Sequence, residues 1–326
     1  MSKKLFSLLV WALLACGAGA QAQGAYPSKP VTLIVPYPAG GPMDKLAREF
    51  ALPMEKQLGQ PVVIQNLSGA GGNLGSAIAV RAAPDGYTLL LNHISMATAP
   101  ALYRRLGFNP ETDFEPLGIM AESPLMLVTR PQIAAGSAVE LVRWIARQPQ
   151  VKLANGGIGS ASHLCGLLLQ SSLGIGMTTV PYRGTAPALT DLLGGHVDLM
   201  CDLTANVLPQ VFNGKTRPIG VTSRKPLSVP GASSIPTLEK FGIPSVQVGV
   251  WYGLYAPKNT PAAVQTRINS ALLAAIQTDA FKQAQLASGI DVVRDARNTP
   301  AGHREYLRSE IARWTPVIKA AGAYAD

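Results

Sequence analysis

A strand, a glycine-rich turn and a helix recur in that order three times along this chain, and no other feature restricts its fold as strongly. In the first unit, Val31–Val35 is an apolar, β-branched run that stops at Pro36 and Pro38, neither of which can donate to a sheet ladder. Gly40 and Gly41 follow. Leu46, Phe50, Met54 and Leu58 then recur every four residues as far as Gly59, the pattern of a helix and its stop signal. Pro53 predicts a kink or break inside that helix. The second unit is a strand at 61–66, the turn Ser68-Gly69-Ala70-Gly71-Gly72-Asn73-Leu74-Gly75 and a short helix at 76–83. The third is a strand at 151–154, the turn Asn155-Gly156-Gly157-Ile158-Gly159-Ser160-Ala161-Ser162-His163 and a helix at 164–173.

Short connections between alternating strands and helices predict an α/β fold with a largely parallel sheet. Ligands of such sheets sit beyond the carboxyl ends of the strands. The glycine turns belong on that edge, and so does the polar segment 93–98, which starts at His93 after a strand at 87–92. Gly40, Gly41, Gly71, Gly72, Gly157 and Gly159 are therefore candidate ligand residues, with Asp44, Ser160 and His163 beside them. Side-chain-free N–H groups next to a helix N-terminus favour an anion.

Further strands are predicted at 117–121 and 125–129, separated by Pro124, and at 178–182, 197–201 and 246–256. Ser137 and Glu140 form a capping box before a helix at 141–147. Pro261 heads another helix with Thr260 as its N-cap, and Pro300 heads a last one that Pro316 disturbs near its end. Glycine units occur in both halves of the chain. That arrangement predicts two lobes across a cleft, residues 24–123 with 254–326 and residues 124–253, with crossings at 125–129 and 246–256.

A chain of 326 residues has room for two cores, and 14% charged against 47% hydrophobic residues indicates a folded protein. The first two dozen residues read separately. Lys3 and Lys4 precede an apolar run, and Ala20-Gln21-Ala22 offers a cleavage site, so residues 1–22 are expected to be a secretory signal. Leu13-Leu14-Ala15-Cys16 loosely matches a lipoprotein signal, the alternative in which Cys16 is lipidated. The net charge of +9 includes those two lysines, and the remaining basic residues are dispersed and not interleaved with aromatics. That excludes a nucleic-acid surface and suits anionic solutes. Cys165 and Cys201 are expected as two buried thiols, with a disulfide between them as the alternative.

Catalytic readings find little support. The sixth positions of the glycine patterns are Leu74 and Ser162, which breaks a dinucleotide fingerprint, and no Walker lysine follows either turn. His93, His163, His196 and His303 form no metal-ligand spacing, so neither metal nor cofactor is expected. Ser160, His163 and Asp202 supply the residue types of a hydrolase but no Gly-x-Ser-x-Gly elbow.

Val35-Pro36-Tyr37-Pro38-Ala39-Gly40-Gly41-Pro42-Met43-Asp44 resembles the opening signature of the tripartite tricarboxylate transporter substrate-binding proteins, the Bug receptors. The resemblance continues through Gly69-Ala70-Gly71-Gly72-Asn73, Pro84-Asp85-Gly86-Tyr87 and Gly157-Ile158-Gly159-Ser160-Ala161-Ser162-His163. It then takes in Val180-Pro181-Tyr182-Arg183-Gly184-Thr185, Gly194-Gly195-His196-Val197-Asp198 and Trp251-Tyr252-Gly253, and so spans the chain beyond the signal. It implies a periplasmic-binding-protein type II fold, two α/β lobes closing on a small carboxylate. The implied ligand loops add Tyr37, Pro38 and Ala39 on one side and Arg183, Gly184, Thr185 and Asp202 on the other. The implied partners are the membrane components of such a transporter or, for a sensing role, a kinase, and the receptor is expected as a periplasmic monomer. Met43 stands where the family commonly has a hydroxyl residue, and Cys201 where it often has phenylalanine.

Overall fold

The computed structural model describes residues 26–133, 135–322 and 324; the expected signal segment and Cys16 lie outside the described residues. The chain opens with β1 (Val31–Val35), α1 (Pro42–Leu58), β2 (Val62–Asn66), α2 (Asn73–Ala79), β3 (Thr88–His93) and α3 (Ser95–Leu102). A long β4 (Phe114–Thr129) leads to α4 (Ala138–Ala146), β5 (Lys152–Asn155), α5 (Ala161–Leu173), β6 (Thr178–Pro181) and α6 (Thr185–Leu193). Then come β7 (Leu199–Leu203), α7 (Thr204–Phe212), β8 (Arg217–Val221) and the single turn α8 (Leu238–Phe241). The chain ends with β9 (Gly249–Pro257), α9 (Ala262–Gln277), α10 (Asp279–Ala287), β10 (Asp291–Val292) and α11 (Pro300–Ala320).

The strands join in the order β2-β1-β3-β9-β4-β7-β5-β6, with β8 and β10 also pairing to β4. Pairing is parallel at both ends, among β2, β1 and β3 and among β6, β5 and β7, and antiparallel where β9 and β4 run through the middle. β4 joins the two parts. Its residues 114–124 pair with β9, and its residues 125–129 pair with β7 and β8. The sequence predicts two strands divided by Pro124, but the structure has one. Pro124 is the last residue to pair with β9, so its missing N–H falls at the handover between partners. Leu125 N–H then donates to the Thr222 hydroxyl, which also bonds the Val248 carbonyl. The return segment, the other expected crossing, enters β9 where Gly249 pairs with Pro124, beside the point at which β4 changes partners.

Three local expectations are corrected. Pro53 does not break α1, which runs 17 residues and ends at Gly59 in a left-handed conformation (φ 74°). Phe50 and Met54 on either side of Pro53 are each 1% exposed. Burying such a side chain is worth about 1.5–3 kcal/mol, so the stripe outweighs one lost helical hydrogen bond. Thr260 does not cap α9. Its hydroxyl turns back to the Pro257 carbonyl at 2.7 Å, and Pro261 takes the N-cap position. Pro316 leaves α11 continuous to Ala320.

One core surrounds β1, β3 and β9, where Trp251, Tyr255 and Phe50 are fully buried. α9 packs on α1 and α11 on α3, so the C-terminal helices return to the first part of the sheet. A second core forms around Met126, Val128, Met200 and Val221. Cys165 and Cys201, expected as thiols, form a disulfide with Cα atoms 6.1 Å apart, inside the usual span for such a bond. Helix α5 lies on β7 with both cysteines turned inward. A separation of 36 residues in sequence does not reveal that juxtaposition.

Candidate functional site

The glycine turns and the ends of their strands surround a cavity of about 420 Å³. Tyr37, Pro38, Gly41, Gly71 and His93 reach its wall from the side of β1 and β3, and Gly159, Ser160, Thr185 and Asp202 from the side of β5 and β7. The other candidate residues lie off the wall for identifiable reasons. Asp44 is buried beneath its loop, where its carboxylate accepts Gly40 N–H and Arg48 Nε at 2.9 Å each and the Asn66 amide at 3.1 Å. Arg48 holds that carboxyl down at about 2, so Asp44 is a permanent anchor for residues 37–44. His163 is buried with Nδ1 accepting Gly159 N–H at 3.2 Å. Arg183 and Gly184 are exposed, as are Ala39 and Gly40. Gly72 and Gly157 stand one residue behind wall residues.

The donors differ from those the sequence suggests. Gly40 N–H goes to Asp44, Gly41 N–H to the Pro38 carbonyl and Gly157 N–H to Asn155 Oδ1. Gly159 N–H goes to His163, and Ser160 N–H to the Gly157 carbonyl. The turn amides are thus spent on holding their own loops. Helices α1, α5 and α6 instead bring their first turns to the cavity at Met43, at Ala161 and Ser162, and at Thr185. First-turn N–H groups have no partner within their helix, and each N-terminus carries roughly half a positive charge.

Sequence reasoning missed most of the cavity's apolar wall. Ser95, Thr98, Ala99 and Leu102 line it at helical spacing, one face of α3, where the sequence reading has only a polar segment at 93–98. Tyr252 arrives by pairing opposite His93, and Tyr103 follows α3. Tyr37 stacks on His93 with ring centroids 4.7 Å apart. Burial pushes His93 down to about 4, so the imidazole is neutral near pH 7. Among the described residues, no lysine or arginine lines the cavity, and no group of three His, Cys, Asp or Glu side chains could hold a metal ion. A second cavity of about 460 Å³ lies where β4 changes partners. Two of its charges are paired, Arg297 with Glu122 at 2.8 Å and Arg313 with Glu310 at 3.1 Å, and no α-helix first turn reaches it.

This geometry has counterparts. Residues 46–323 match the family model described as tripartite tricarboxylate transporter family receptor. The chain belongs to that family. It is 39% identical to the periplasmic binding protein BugD, covering 92% of this chain and 99% of that one with a TM-score of 0.78. MatC from Rhodopseudomonas palustris, solved with bound malate, is 34% identical over 90% of this chain and 100% of its own, TM-score 0.78. An R. palustris protein solved with adipate is 32% identical over 91% of this chain and 98% of its own, TM-score 0.79. These relatives share the mixed α/β fold, and members of the family are solute receptors.

Within the family frame, the hydrolase alternative loses its geometry. Ser160 Oγ accepts the backbone N–H of His163 as an N-cap, and His163 Nδ1 is taken by Gly159. Asp202 bonds Leu203 N–H and Asn206, not an imidazole. Met43 gives the wall an apolar side chain beside a helix end that no side chain caps.

Asp202 also makes the site sensitive to pH. Burial raises its carboxyl to about 6, against the Leu203 N–H, Asn206 and a nearby Thr185 hydroxyl, which favour the charged form. Between about pH 4 and 6 the native protein keeps a proton that the unfolded chain releases, so this group's contribution to stability falls as pH rises through that window. At 1.36 kcal/mol per unit, the effect is about 2–3 kcal/mol. Ligand-free Asp202→Asn should therefore gain stability over the parent as pH rises from about 4 to 6 and hold that gain above it. His93 and His303, depressed by burial, act in the opposite sense in both proteins and cancel in the difference. Denaturant titrations across pH 4–8 giving a constant difference would contradict this assignment.

Proposed function

We propose that this protein is a periplasmic receptor that encloses a small carboxylated organic solute and delivers it to the membrane components of a tripartite tricarboxylate transporter. The observation that carries the proposal is the meeting of three helix N-termini around a cavity without lining cations. A carboxylate leaving water must regain its hydrogen bonds, because an unpaired buried charge is very costly. Helix first turns supply N–H donors and a positive potential without a bulky side chain. The apolar wall of Met43, Ile94, Leu102 and Val250 then accommodates a carbon skeleton. Malate in MatC and adipate in the other R. palustris relative are both small carboxylates. Malate carries a hydroxyl and adipate does not, so those ligands leave the preferred substituent open.

The moving parts under this proposal are residues 24–123 with 254–326 and residues 124–253, hinged where the chain passes between the two parts of the sheet. The candidate contacts are the wall residues Tyr37, Gly41, Gly71, His93, Gly159, Ser160, Thr185 and Asp202, with Met43, Ser95, Ser162 and Tyr252 added. A thermal-shift screen over small organic acids tests the proposal. At a concentration 100 times its Kd, a cognate acid should stabilise the protein by about 2.7 kcal/mol, and it should be recovered unchanged. Turnover of the acid, or no stabilisation by any of them, would contradict the proposal.

A further inference from the structure

Among the described residues, the cavity wall carries one acidic side chain, Asp202, at the end of β7. The side chain is nearly inaccessible, at 3% exposure. Its Oδ1 accepts Leu203 N–H at 2.6 Å and the Asn206 amide at 3.3 Å, but its buried Oδ2 has no hydrogen-bond partner. Ser162 Oγ, on the same wall, is likewise buried and unpartnered. An ionised carboxylate only accepts hydrogen bonds, and leaving one buried oxygen unmet is expensive. The carboxylate of a bound acid brings acceptors and a second negative charge, so it cannot meet this need. No lining lysine or arginine is present to do so either, and His93 is neutral. The Thr185 hydroxyl lies near enough to favour the charged carboxyl but makes no hydrogen bond to this oxygen, so a donor on the ligand can supply the missing bond.

We infer that Asp202 selects the ligand's substituent: the receptor prefers carboxylic acids that also carry a proton donor, an ammonium or a hydroxyl group, over plain acids of the same skeleton. The inference rests on the carboxylate-receptor reading above and narrows its ligand class. The helix N-termini take the carboxylate, while the substituent donates to Asp202 Oδ2. A plain acid leaves that oxygen buried and unpaired, which costs binding about tenfold or more. An ammonium has the further advantage of balancing the second negative charge.

The test uses acids matched in skeleton and differing in one group: succinate, malate and aspartate; glutarate, 2-hydroxyglutarate and glutamate; phenylacetate, mandelate and phenylglycine. Thermal shift finds the skeleton that binds, and calorimetry gives the ratio within its set. The donor-bearing acid is expected to bind at least about tenfold more tightly than the plain one. Asp202→Asn, which keeps the shape and removes the charge, should narrow that ratio to about threefold or less. A larger loss for the amino acid than for the hydroxy acid assigns an ammonium, and equal losses assign a hydroxyl. Equal affinity of plain and substituted acids in the parent protein overturns the inference while leaving the carboxylate receptor standing. So does a ratio that Asp202→Asn leaves unchanged. Failure of every set to bind overturns the receptor reading and the inference together. The ratio in the parent protein stands as a test even if the variant fails to fold.

Discussion

Gly159→Val is expected to weaken binding of the cognate acid by about a hundredfold or more while leaving the protein folded. Gly159 lies in the turn between β5 and α5 with φ +78°, a backbone region that L side chains rarely adopt. A Cβ there would stand 2.7 Å from Leu102 Cδ1, which belongs to α3 on the other part of the sheet. The two residues therefore touch across the cavity, and a valine either pushes α3 away or twists the turn that begins α5. The first outcome opens the site, and the second misdirects the N–H groups of Ala161 and Ser162. Losing two charge-assisted hydrogen bonds, at about 1.5–3 kcal/mol each, accounts for the size of the effect. Gly174→Ala is the control. It has the same kind of backbone (φ +64°) at the far end of α5, with nothing within 4 Å of the added atom. It should lose about 1 kcal/mol of stability and no affinity. Affinity in Gly159→Val within a few fold of the parent would show that contact across the cavity is not needed for binding.

Removing the disulfide should have the largest effect on stability. Cys165 and Cys201 close a loop across 36 residues, and chain entropy for such a loop corresponds to about 2–4 kcal/mol. For a chain of this size, that is a fall in Tm of roughly 3–6 °C. Cys165→Ala with Cys201→Ala should show it directly, and reduction of the native protein should come close to the same value. Affinity should fall severalfold as well. The bond fixes α5, which carries Ser162, against β7, which carries Asp202, so both cavity groups lose a common anchor. An unchanged Tm in protein whose thiols are verified as reduced would contradict this role.

Turn grammar is local, which is why much of the site is legible in the sequence. Gly41, Gly71 and Gly159 follow strands and precede helices, and the rule placing ligands at strand ends puts them on the cavity. What the sequence does not reveal is which amides are already used. Asp44 and His163 read as ligand candidates beside the turns, yet each is consumed in holding one turn in shape, as is Asn155. Proline misleads in the other direction. Pro124 and Pro53 look like breaks, but one falls where β4 changes partners and the other on the buried face of a continuous helix. Tyr252 and the Cys165–Cys201 bond depend on pairings between distant segments, and no local pattern announces those. The face of α3 is different. Ser95, Thr98, Ala99 and Leu102 carry a readable helical period, obscured by the small polar residues that make it up.

Amide hydrogen exchange with and without the acid found by screening tests the central claim most directly, because it reports each side of the cavity separately. If the solute is enclosed by helix N-termini from both parts of the sheet, binding should slow exchange at Met43 and Asp44 and, at the same ligand concentration, at Ala161 and Ser162. Protection confined to one of these two segments, or appearing only at the exposed Arg183, would contradict an enclosed carboxylate held by helix ends.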